Sequence, residues 1–90
     1  MKTAARVTIV GIVHGVAFRA TMSEKARLHN VSGWVRNVED GSVEAFLEGE
    51  EEDVRAVLEW AKRGPPRARV DSIKVEETNP RNHRGFVVTG

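Results

Sequence analysis

The sequence predicts an α+β domain. It is a ferredoxin-like two-layer α/β sandwich, with two helices covering one face of an antiparallel sheet of four to five strands. Three observations carry that prediction. Segments rich in β-branched residues alternate with two segments of helical, 3.6-residue periodicity. Their order reads β-α-β-β-α-β with a short strand added at the end. The chain of 90 residues suits one domain, 1–90, with a modest core, because a chain of this length buries only about 60–65% of its unfolded surface.

The first strand is expected over Arg6 to Ile12, an apolar, β-branched run. Phe18, Met22 and Ala26 then recur four apart, the stripe of an amphipathic helix, and Asn30 is suited to a left-handed stop. Gly33 to Glu39 reads as the second strand and Ser42 to Glu48 as the third, joined by the hairpin signal Asp40-Gly41. If that turn has two residues, Asn37 faces away from Val43, Ala45 and Leu47. Val54, Val57, Leu58 and Ala61 form the stripe of a second helix, ended by Gly64-Pro65-Pro66. The four acids Glu50 to Asp53 suit its positive N-terminal end better than a metal site, and Lys62 and Arg63 suit the other end. Val70, Ile73 and Val75 mark a fourth strand, Phe86 to Thr89 a fifth, and 78–85 a polar loop between them.

Composition and motifs speak against several classes. With 14 basic against 13 acidic residues the net charge is +1, which gives no electrostatic footprint for nucleic acid. Arg84-Gly85-Phe86-Val87 echoes an RNA-binding strand, but on the wrong strand and without a second aromatic. There is no cysteine, hence no disulfide or thiol chemistry, and the three histidines lack metal-ligand spacing. No apolar run is long enough for a membrane and no signal peptide is visible, so the expected location is cytoplasmic. Small size and balanced charge favour a monomer.

The chemistry concentrates in residues 11–19, Gly-Ile-Val-His-Gly-Val-Ala-Phe-Arg. Glycines let successive N–H groups converge, and a helix N-terminus adds further N–H groups and a positive dipole end. Arg19 stands where a cation is unfavourable unless an anion offsets it; elsewhere it would read as a solvated charge. Its guanidinium is a planar fork matched to phosphate oxygens. Asn37, unusual in an apolar strand, is either a residue entering the turn or a neutral amide that orients a water. His14 is either an exposed loop histidine or a general acid or base. Trp34 and Trp60 read as packing residues.

These residues resemble the acylphosphatase family over nearly the whole chain. The loop matches a Gly-x-Val-Gln-Gly-Val-x-Phe-Arg motif, with His14 in place of glutamine. Gly33-Trp34-Val35-Arg36-Asn37, followed by Asp40-Gly41-x-Val43-Glu44, matches a second motif, and Trp60, Gly64-Pro65, Ala68 and Val70 fall in a later pattern. The resemblance implies hydrolysis of small acyl phosphates to a carboxylate and inorganic phosphate, without metal or cofactor. It implies phosphate binding by the backbone of Gly15, Val16, Ala17, Phe18 and Arg19, with the Arg19 side chain on the phosphoryl group. Asn37 then orients the attacking water. The remaining alternative is a domain of the same fold that binds a phosphorylated ligand or RNA without turnover.

Overall fold

The computed structural model describes all 90 residues. Seven elements follow one another: β1 (Lys2–Ile12), α1 (Phe18–Leu28), β2 (Ser32–Asn37), β3 (Val43–Glu50), α2 (Glu51–Ala61), β4 (Arg69–Thr78) and β5 (Phe86–Thr89). The strands form one sheet in the order β4-β1-β3-β2-β5. The pairs β1–β3 and β2–β3 are antiparallel, as the sequence predicts; of the last two strands, whose order the sequence leaves open, β4 pairs antiparallel with β1 and β5 joins parallel to β2. The sheet is therefore mixed, because β5 enters the far edge by a crossover instead of a hairpin.

Alternation decides which side of each strand is buried. Ala5, Val7 and Ile9 of β1, Val35 of β2 and Val43, Ala45 and Leu47 of β3 form the inner face. They meet Phe18, Met22 and Ala26 of α1 and Val54, Val57 and Ala61 of α2 in one cluster, as the helical stripes require. Helix α1 lies over β2 and β5, and α2 over β1 and β3. Asn30 takes the predicted left-handed conformation, φ 56°, just beyond α1.

Strand β1 begins at Lys2, four residues before its expected start, because Lys2 to Ala5 pair with Leu47 to Glu50. Alanine is a poor strand former, so Ala4 and Ala5 conceal this extension in the sequence; their burial comes from tertiary pairing.

The β2–β3 connection corrects the expected facing of Asn37. The Val38 N–H bonds to Ser42 O at 2.9 Å, closing a loop over Glu39, Asp40 and Gly41 instead of a two-residue turn. Asp40 Oδ1 accepts from Ser42 N and Oγ at 2.9 and 2.6 Å, which stabilises the longer loop. Asn37 consequently lies directly opposite Val43 and shares the inner face with it. A one-residue change in register moves a side chain to the other face. Here it turns Asn37 toward the helix layer.

The segment between β4 and β5 crosses the helix-free face. Glu48, only 3% exposed, accepts the N–H groups of Arg81, Asn82 and His83 at 3.2, 3.1 and 3.0 Å. His83 tilts against Phe46 with ring centroids 5.1 Å apart, and Trp34 stacks on Phe46 from β2 at 6.4 Å. This strap delivers Phe86 into the core and lays β5 beside the start of α1.

Candidate active site

The loop from Val13 to Ala17 is held by apolar anchors. Val13 and Phe18 are buried at either end, and Val16 packs partly against the core. Gly15 (φ 71°) and Ala17 (φ 62°) both adopt the left-handed conformation. For Gly15 this costs nothing; for Ala17 it costs about 1–2 kcal/mol, a local strain the fold imposes at the N-cap of α1. These bends leave the N–H groups of Gly15 to Ala20 without an acceptor in the protein, and Thr21 is the first to bond back, to Ala17 O at 3.0 Å.

The N-terminus of α1 has no side-chain cap and no acid in its first turn, unlike α2, which carries Glu51, Glu52 and Asp53 there. Its only charged residue in that turn is Arg19. Six unsatisfied donors, a positive dipole end and a guanidinium thus share one place, an arrangement that an anion stabilises. Arg19 is half-buried, and its Nη1 donates to Thr89 O of β5 at 2.9 Å. That bond fixes the guanidinium and leaves other N–H groups free.

These groups border an open cavity of about 200 Å³, lined by Val13, Gly15, Ala17, Phe18, Arg19, Ala20, Asn37 and Val88. Asn37 enters from the end of β2, and its Oδ1 accepts no hydrogen bond from a protein group. The structure therefore brings Arg19, Asn37, Gly15, Ala17 and Phe18 together. Val16 packs partly against the core and is not among the residues lining the cavity. Val88 and Ala20 were not singled out in the sequence. Val88 reaches the cavity only because β5 pairs with β2, and no local signal marks it.

His14 stays outside the cavity lining, and its Nε2 bonds to Ser42 O at 2.7 Å. Two of the acids at the start of α2 are engaged elsewhere: Glu50 accepts from the N-terminal ammonium at 2.8 Å and Glu51 from Arg55 at 2.9 Å. No grouping of histidines and carboxylates has the spacing to hold a metal ion. No helix is long and apolar enough to cross a membrane.

Fold and site together define a small α+β domain whose first helix begins at a cluster of free N–H donors beside a guanidinium. A family model described as Acylphosphatase matches residues 5–88. The chain is 49% identical over 86 residues to an acylphosphatase of Thermococcus kodakarensis, covering 96% of this chain and 94% of that one. Its structure is similar to that of an acylphosphatase from Coxiella burnetii, with a TM-score of 0.94 and 35% identity over 98% of this chain and 93% of the other. It is equally similar to the Bacillus subtilis acylphosphatase, with a TM-score of 0.94 and 33% identity over 100% of both chains. The chain belongs to the acylphosphatase family.

Proposed function

We propose that the chain hydrolyses the carboxyl–phosphate bond of small acyl phosphates, releasing a carboxylate and inorganic phosphate. The observation that carries this reading is the meeting of Arg19, the free N–H groups of Gly15, Ala17, Phe18, Arg19 and Ala20, and Asn37 at one cavity in a member of this family. The N–H groups and the guanidinium receive the phosphoryl oxygens. Phosphoryl transfer through a loose transition state asks chiefly for positioning and for donors on the equatorial oxygens. The loop meets that need without a metal.

Asn37 orients the water in line with the leaving oxygen, its amide donating one hydrogen bond and accepting another. The water oxygen bonds to phosphorus as the bond from phosphorus to the carboxyl oxygen breaks, and the electron pair leaves with the carboxylate. A carboxylate is a good leaving group, so no general acid is required. No side chain in the cavity is a general base, and the water proton passes to the phosphoryl oxygens. His14 Nε2 is committed to a carbonyl, which it can only meet as a donor.

The test is hydrolysis of benzoyl phosphate with excess chelator by the natural chain, Arg19→Ala and Asn37→Ala. Metal-independent turnover lost in both variants is the expected result. A folded natural chain that binds inorganic phosphate without turnover would make this a receptor and overturn the catalytic reading.

A further inference from the structure

We infer that His14 is a positioning residue, which fixes the phosphate-receiving loop against the end of the strand that carries Asn37. The inference rests on the reading of the site given above. The Ser42 carbonyl takes two donors: His14 Nε2 at 2.7 Å from the loop and the Val38 N–H at 2.9 Å from the residue after Asn37. One oxygen thus ties the element that holds the phosphoryl group to the element that holds the water.

That oxygen is itself held in place. Ser42 is 5% exposed, and both its N–H and its hydroxyl donate to Asp40 Oδ1. The tie spans 28 residues of sequence and joins two loops that share no other side-chain hydrogen bond. His14 is exposed and is not part of the core cluster, so what ties its ring to the fold is this hydrogen bond to the hairpin. A phosphate held correctly by Arg19 and the amides still reacts slowly if the water sits off line. Loss of the tie therefore acts on turnover more than on binding.

The experiment measures kcat and KM on benzoyl phosphate for the natural chain, His14→Ala, His14→Gln, Asn37→Ala and the double variant His14→Ala/Asn37→Ala. One hydrogen bond of ordinary strength corresponds to a loss of about two- to tenfold in kcat for His14→Ala, with KM nearly unchanged. Glutamine carries a neutral donor of similar reach, so His14→Gln restores most of the lost kcat. In the Asn37→Ala background, where no water is oriented, His14→Ala costs nothing further, because the two residues act as one unit. Full activity of His14→Ala overturns the inference. So does a loss that appears in KM, or an equal proportional loss with and without Asn37. An inactive natural chain overturns the acyl phosphate reading and this inference with it, whereas an active one with a neutral His14→Ala overturns this inference alone.

Discussion

Arg19 Nη1 donates to Thr89 O at 2.9 Å, so the first turn of α1 is clamped to the last strand across 70 residues of sequence. The bond uses one donor of the guanidinium and aims the rest at the cavity. Arg19→Ala is expected to raise KM and to cut kcat by about a hundredfold or more, since in the proposed reaction the guanidinium serves both bound substrate and transition state. Arg19→Lys should recover little. An ammonium has no planar fork with which to hold Thr89 O and grip two phosphoryl oxygens together. Steady-state kinetics on benzoyl phosphate check both variants; a fully active Arg19→Lys would show that charge alone suffices.

Asn37 predicts a different kinetic pattern. Asn37→Ala should lower kcat by about a hundredfold while inhibition by inorganic phosphate stays close to that of the natural chain, because the cradle is built by another element. Loss of phosphate binding in this variant would move Asn37 from the water to the phosphate.

Gly64 supports the site from beneath. It has φ 71°, and a Cβ there would lie 2.5 Å from the Phe18 ring, the residue that starts α1. Gly64→Ala combines an unfavourable backbone with overpacking and should cost about 2–4 kcal/mol. In a domain of this size that is about 4–8 °C of Tm per kcal/mol, measurable by thermal unfolding. A neutral result would mean that the Phe18 ring has room to move.

Glu48 makes stability depend on pH. Burial by itself would push its carboxyl up, but the N–H groups of His83, Arg81 and Asn82 together outweigh that and hold it below the ordinary range. A carboxylate with a depressed native value contributes stability that is fully present above its unfolded value, about 4.3, and is lost as pH falls through the native one. Denaturant unfolding between pH 3 and 7 should therefore show a falling stability below about pH 4.3. Glu48→Gln should lower stability by about 1–3 kcal/mol at neutral pH and flatten the acid limb. An acid limb unchanged in Glu48→Gln would assign the effect to other carboxylates.

Most of the fold and most of the candidate site residues are legible in the sequence, for local reasons. The stripes of Phe18, Met22 and Ala26 and of Val54, Val57 and Ala61 enter the core as read, because a helix places residues three and four apart on one side whatever its neighbours are. The Gly15 loop and Arg19 stand out because a cation at a helix start is locally unfavourable. The facing of Asn37 is not legible locally, because it depends on whether the hairpin closes at Val38–Ser42 or one residue inside it, and Asp40-Gly41 suits either closure.

By itself the sequence determined the element order, the two amphipathic helices and the donors gathered between residues 15 and 19, all set by periodicity and backbone chemistry within a few residues. Only the tertiary structure decided that β5 lies parallel beside β2, that Thr89 holds Arg19, that Val88 walls the cavity and that His14 meets Ser42. Those contacts join segments between 28 and 70 residues apart for the two hydrogen bonds, and no local preference encodes them. They exist because burying one apolar face against two helices leaves the sheet a single register and order, and that register brings the distant backbone carbonyls within reach.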